Sequence, residues 1–368
     1  MRTEILNLYP RLPVLERPET GEKPLSVEKA VVAGNIAGCA GVNMANKLVL
    51  EMLSVTQGRE PIYVNHPLTH NDISMQYFID QGVIVFHNDF SQVPDGASTV
   101  FSAHGVTPDH YRIAEEKGLL VFDATCPLVK TQQDKAQRIA NSGGTVLLIG
   151  AKNHPETESI RGFAEEARPG SVHVIFEESD VHTIPDVKGE HIEIVTQTTL
   201  GIYDTRDRIH TIREARPDIE VVARRGNDEE EGDLCYATTN RQESVEKLVL
   251  EEGVDSILVV GSQKSHNSKM LAHLGEQLGV PARLINTGGD IQREWFDGVR
   301  RVGISGGASA EISLIRHVTD WFTLRGVPIE YQDPVRVEKD GATFAYPEIT
   351  KRSFDLLRNK YSSEGLTI

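Results

Sequence analysis

Leu119–Lys130 reads LLVFDATCPLVK: four apolar residues, a short polar turn, a cysteine, and a proline that opens the amphipathic run PLVKTQQDKAQRIANS. An apolar run without polar alternation suits a strand covered on both faces. Proline is well placed in the first turn of a helix, where its missing N–H costs nothing. Strand, turn and helix in that order are half of a parallel βαβ unit, and the pattern recurs on both sides. Upstream stand KAVVAG with VNMANKLVLEML, then PIYVNH, GVIVF, STVFSA and DHYRIAEEKG. Downstream stand TVLLIG, SVHVIF, IEIVTQ with TRDRIHTIREARP, NRQESVEKLVLEEG with SILVVGS, SKMLAHLGEQLG with ARLIN, and RRVGIS with EISLIRHVTDWFTLRG. Short Val/Ile/Leu strands alternating with helices of about 10 to 15 residues define an α/β fold with mainly parallel sheets. The spacing predicts three compact α/β units. The first spans residues 41–125 and the second 126–232, while the third joins 29–40 to 233–330. Residues 1–28 form an N-terminal arm and 331–368 a C-terminal tail.

Composition bounds the function. The chain has 368 residues, 39% of them hydrophobic, enough for more than one core. Its 38 basic and 54 acidic residues give a net charge of −16, which argues against nucleic-acid phosphate or an anionic membrane as partner. No apolar run reaches the roughly 20 residues needed to span a bilayer. The N-terminus mixes Arg2, Arg11 and Arg17 with Glu4, Glu16, Glu19 and Glu22, unlike a secretory or transit leader. The expected location is cytoplasmic.

The three cysteines, Cys39, Cys126 and Cys235, fall near three strand-to-helix crossings, where ligands bind in open α/β sheets. They are too few and too far apart for a disulfide framework or a C-x-x-C pair. Three thiols converging from separate loops would leave a metal centre one open coordination position, as a catalytic centre requires. The alternative is three buried apolar thiols. Gly34, Gly38 and Gly41 around Cys39, and Pro127 after Cys126, favour ligation, because they allow close backbone approach and supply helix-terminal N–H groups.

Polar residues gather in the same kind of loop. His70, His104 and His154 each follow an apolar run, with Glu156 two residues after His154. TQTTL brings Gln197, Thr198 and Thr199; GSQKSHNS brings Ser262, Ser265, His266, Asn267 and Ser268; SGGASA brings Ser309. Such clusters are helix caps first. They also surround one point with N–H and O–H donors, as a phosphate or diphosphate requires. Neither a Walker A loop nor G-x-G-x-x-G is present, and clustered Arg or Lys is missing from this expected anion pocket.

In this order, CAGV, HN, VPDGA, FSAHGV, VFDATCPLV, HPE, TQTTL, CYATTNRQ, GS..S.NS and GASA, the motifs are joined into one pattern between Val31 and Pro347. The chain resembles the LytB family of 4-hydroxy-3-methylbut-2-enyl diphosphate reductases. The resemblance implies a trefoil of three α/β domains around a 4Fe-4S cluster held by Cys39, Cys126 and Cys235, one iron being left for the substrate's allylic hydroxyl. It implies that His70, His104 and His154, with Ser265, His266, Asn267 and Ser309, hold the allylic diphosphate, and that Glu156 supplies protons with Thr198 and His154 beside it. The implied reaction is a two-electron, two-proton reductive dehydroxylation giving isopentenyl and dimethylallyl diphosphates, the last step of the methylerythritol phosphate route. Ferredoxin or flavodoxin is the implied electron donor. Two departures stand out: IAGCAGV puts Gly38 where the family carries a bulky residue before its first cysteine, and SHN puts His266 where it carries a serine. A cluster-bearing redox sensor that binds a diphosphate without turnover, and a zinc hydratase or hydrolase, are the rival functions.

Overall fold

The computed structural model describes residues 12–21, 23–36, 38–185, 191–217, 221–222, 233–335 and 344–362. In chain order the elements are β1 (Lys29–Val32), α1 (Ala40–Thr56), β2 (Ile62–Val64), α2 (Asp72–Asp80), β3 (Val83–Val85), β4 (Ser98–Phe101), α3 (Pro108–Glu116) and β5 (Leu120–Asp123). There follow α4 (Pro127–Asn141), β6 (Thr145–Ile149), α5 (Pro155–Ala167), β7 (Val172–Ile175), β8 (Ile192–Thr196), α6 (Ile202–Ala215), β9 (Val221–Val222) and α7 (Tyr236–Leu250). The chain continues through β10 (Ser256–Val260), α8 (His266–Gln277), β11 (Ala282–Ile285), β12 (Arg301–Gly306), α9 (Ile312–Thr323), β13 (Ile329–Tyr331) and α10 (Glu348–Ser362).

The strands form three sheets, ordered β11-β10-β12-β1-β13, β3-β2-β4-β5 and β7-β6-β8-β9. Every ladder among the described residues is parallel, so the α/β class read from the sequence is the one observed. Side chains alternate across a strand, and here both sets are apolar. In the five-stranded sheet Val32, Leu258, Val260 and Ile304 enter one core while Val31, Ile257 and Val259 enter another. The β6–β8 region divides in the same way, with Leu147, Ile149 and Ile194 on one face and Val146, Leu148 and Val195 on the other. Burial on both faces explains why these strands read as continuous apolar runs.

The chain separates into two compact units. One contains Met1–Val42, Thr69–Asp80 and Tyr236–Ala342, and holds the five-stranded sheet. The other contains Asn43–Leu68, Gln81–Cys235 and α10, and holds both four-stranded sheets. Thr69–Asp80, inside the stretch expected to be the first α/β unit, thus clusters with the five-stranded sheet.

The arm and tail contribute more than their composition indicates. Leu12, Leu15 and Leu25 pack on the core of the first unit, and the Ser26 hydroxyl donates to the Phe296 carbonyl at 2.6 Å. Residues 1–11 lie outside the described residues. Thr350, Ser353, Phe354, Leu357 and Tyr361 of α10 are buried, one helical stripe within what the sequence left as a tail.

Candidate active site

In the second unit, the loops after β4, β5, β6 and β8 carry the residues of interest. The chain leaves β4 at Ser102, whose N–H donates to the buried Asn65 Oδ1 at 2.7 Å, and turns through His104 to Gly105. Gly105 has φ +78°, and a Cβ there would lie 2.5 Å from Gln133 Nε2, so only glycine fits. After β5, Cys126 is the N-cap of α4, with Pro127 at N1; its N–H donates to the Ala103 carbonyl at 3.1 Å, tying it to the His104 turn. After β6, Asn153 takes φ +63° and His154 caps α5, its Nδ1 accepting the Glu156 N–H at 3.2 Å. The rings of His104 and His154 meet edge to face, 5.7 Å between centroids.

Glu156 is 1% exposed, at the first turn of α5. Its Oε1 accepts the Thr198 N–H at 2.7 Å. Burial pushes the carboxyl up to about 7, against hydrogen bonds from the Thr198 backbone and side chain that pull it down. Gln197 braces the same loops, its Oε1 accepting the Ala151 N–H at 3.0 Å while its Nε2 donates to Thr199 Oγ1 at 2.8 Å. Thr198 also works in the other direction: its carbonyl accepts the Cys235 N–H at 3.1 Å. Hydrogen bonds and one ring contact therefore link Cys126, His104, His154, Glu156, Thr198 and Cys235 within one unit.

In the first unit, the loops after β1, β10 and β12 meet. The Cys39 N–H donates to the Ala308 carbonyl at 2.8 Å, and the Ala308 N–H donates to Asn267 Oδ1 at 2.9 Å. Ser265 caps α8. Thr69, beside His70, donates its hydroxyl to the Ser309 carbonyl at 3.3 Å. Asn267 Nδ2 and Ser309 Oγ are buried without a hydrogen-bond partner, the state of donors shaped for a ligand that accepts. Gly261 and Gly307 both close on buried Ser268, whose hydroxyl a Cβ at either position would strike. Burial lowers the His70 pKa, and the positive charges of Lys264 and Lys269 lower it further. Lys264 and Lys269 thus act on His70 by charge, and Lys264 is also paired with Asp72 at 2.8 Å.

Each cysteine immediately precedes a helix, Cys39 before α1, Cys126 before α4 and Cys235 before α7. None of the three is in a disulfide, and all are partly exposed.

Residues 30–323 match the family model described as LytB protein. The chain belongs to the LytB family. It is 39% identical over 310 residues to the LytB relative named 4-hydroxy-3-methylbut-2-enyl diphosphate reductase of Pseudomonas aeruginosa (strain LESB58), covering 84% of this chain and 94% of that one. The reductase of the same name from Azotobacter vinelandii is 38% identical with the same coverage. Among solved LytB structures, the E-1-hydroxy-2-methyl-but-2-enyl-4-diphosphate reductase of Plasmodium falciparum superposes with a TM-score of 0.80 at 28% identity, covering 91% of this chain and 99% of that one.

Some features of this LytB chain were not legible in the sequence. Asn65 gave no signal, being one polar residue in PIYVNH, yet its Nδ2 donates to Asn88 Oδ1 at 3.2 Å and Asn88 Nδ2 contacts His66 Nε2 at 3.0 Å. The Asn88 and His66 side chains border a cavity of about 110 Å³ beside Gly105, also lined by Asn153, Pro155 and Ser159. Among the described residues no group of three or more His, Cys, Asp or Glu is placed to hold a metal ion, and no helix is long and apolar enough to cross a membrane.

Proposed function

We propose that this oxidoreductase removes the allylic hydroxyl of 4-hydroxy-3-methylbut-2-enyl diphosphate, consuming two electrons and two protons and releasing water with isopentenyl or dimethylallyl diphosphate. Cys39, Cys126 and Cys235 would hold a 4Fe-4S cluster. The chemistry of the donor set supports this: three partly exposed thiols outside any disulfide, each immediately before a helix. When bound, the cluster supplies single electrons and a Lewis-acidic iron for the hydroxyl oxygen.

The observation that carries the reading is Glu156, a carboxyl 1% exposed, anchored on Thr198 and raised to about 7. Hydroxide is a poor leaving group, so a proton must arrive as the C–O bond breaks. Near neutral pH about half of the Glu156 side chains hold that proton. The Thr198 hydroxyl, hydrogen-bonded to the same carboxyl, passes it to the departing oxygen. His154 fixes the first turn of α5 by accepting the Glu156 N–H, so its Nδ1 is unprotonated and its Nε2 is left to donate. His70, His104, His154, Ser265, His266, Asn267 and Ser309 would hold the diphosphate, a reading supported by the buried Asn267 Nδ2 and Ser309 Oγ, which lack a hydrogen-bond partner. The electron donor is a small carrier protein, ferredoxin or flavodoxin, and the reaction runs in the cytoplasm.

The test is an anaerobic assay of the iron-loaded full chain with the hydroxylated diphosphate and a strong one-electron donor. Dehydroxylated product is expected. A brown protein that binds substrate without turning it over would point to the sensor instead. A colourless protein with stoichiometric zinc would remove the cluster altogether.

A further inference from the structure

We infer that helix α10 is a positioning element for Cys126: it completes the open edge of the sheet whose last strand leads directly to that thiol. The inference rests on Cys126 as a cluster ligand for its functional weight, but its geometry stands without iron. Strand β5 lies at the edge of the order β3-β2-β4-β5. Residues 120 and 124 turn their N–H groups to β4, Leu120 to the Ala97 carbonyl at 3.0 Å and Ala124 to the Phe101 carbonyl at 2.8 Å. Val121 and Asp123 therefore direct their carbonyls outward.

An edge strand presents such groups to any passing partner and frays first. Here α10 covers them. The Thr350 hydroxyl donates to the Asp123 carbonyl at 2.9 Å, and the Ser353 hydroxyl donates to that of Val121. Hydroxyls one helical turn apart thus meet carbonyls two strand residues apart. Phe354 packs edge to face on Phe122, 5.0 Å between ring centroids. The far end of the helix is held by Tyr361, buried, and by the Lys360–Glu60 ion pair.

Asp123 is where this support reaches the cysteine. Its carboxylate is buried and accepts the Thr125 N–H at 2.9 Å and the Tyr111 hydroxyl at 2.8 Å. Its carbonyl is the one that Thr350 holds. Only Ala124 and Thr125 separate it from Cys126, a span of at most about 11 Å, and the Cys126 N–H is fixed on Ala103. Thr350 acts through the backbone of β5 and contacts no reacting atom, so it is a positioning residue. Nothing else among the described residues hydrogen-bonds those two outward carbonyls, and α10 lies beyond residues 30–323 of the family match.

The test uses the full chain prepared without iron, so that thiol placement is read apart from cluster chemistry. Alkylation of each thiol by iodoacetamide is followed by peptide mass spectrometry in the wild type, Thr350→Val, Ser353→Ala and the double variant. The double variant is expected to label Cys126 about tenfold faster, as an opening equilibrium shifts when two hydrogen bonds are lost, with Cys39 and Cys235 unchanged. Thr350→Ser, which keeps the donor, should restore the wild-type rate. If the double variant does not fold, the Thr350→Val and Thr350→Ser pair carries the same comparison. Unchanged Cys126 labelling, or an equal rise at all three thiols, would overturn the inference. A wild-type chain that never takes up iron would instead defeat the cluster reading and leave the labelling result intact.

Discussion

The Glu156 loops of the second unit and the Asn267–Ser309 loops of the first meet opposite electrostatic demands. Around Glu156 water is excluded, so a carboxyl keeps its proton at a pH where an exposed one would have lost it. Around Asn267 and Ser309 the groups are neutral donors, two of them buried with nothing to donate to, and burial lowers the pKa of the nearby histidine. One region stores a proton; the other gathers donors that carry little charge of their own. A buried neutral donor without a partner costs about 1 to 3 kcal/mol, less than an unpaired buried charge, and a charged acceptor offsets that cost.

The sharpest way to break this contrast is Glu156→Gln. It should retain the cluster and bind substrate within a few-fold of wild type while losing about 10² to 10⁴ of its turnover with a chemical reductant; wild-type turnover would remove Glu156 from the proton path. Asn267→Ala attacks the other side. It should weaken substrate binding by about 10- to 100-fold, the loss expected for a hydrogen bond to a charged acceptor, with a smaller change in kcat; an unchanged Kd by calorimetry would exclude Asn267 as a donor.

Stability against pH separates the two regions again. Folding raises Glu156 from 4.5 to about 7, so the folded chain binds a proton that the unfolded chain releases. Its contribution is full below about pH 4.5 and is lost as the pH rises to about 7, on the order of 3 kcal/mol in all. Urea unfolding at pH 5 and pH 8 should show the wild type losing stability relative to Glu156→Gln; parallel losses would show that the carboxyl is not held in its neutral form. The smallest effect is expected for His266→Ser. The backbone N–H groups of the first turn of α8 persist in that variant, so substrate affinity should change by less than about tenfold, and a larger loss would make His266 a principal donor.

How much of this was legible depends on how local each cause is. The alternation LLVF, DATC, PLVK announced β5, its loop and α4 because strand burial and the proline preference act over a few residues. The His154–Glu156 pair was visible as HPETE, but the raised carboxyl was not, since its cause is the packing of α5 against the loop after β8. Asn65 was silent for the same reason: its partners Ser102 and Asn88 are 37 and 23 residues away. Residues 331–368 were read as a tail, although α10 carries a clean apolar stripe. Its charged outer face and short Phe and Leu content mask that stripe until the partner strand is known. Lys264 stands in plain view within GSQKSHNS, but its reach to His70 is not legible there, because it depends on where α2 and the loop before it are packed.

Ser268, clasped between Gly261 and Gly307, sets a limit on variation that no hydrogen-bond list conveys. Two glycines, each just past the end of a separate strand, yield their side-chain volume to a single hydroxyl, so the three positions behave as one unit of heredity. A saturation library scored for folded protein should be nearly empty at 261 and 307, and should admit nothing larger than alanine or serine at 268. Any lineage that enlarges one of them must first have moved a strand.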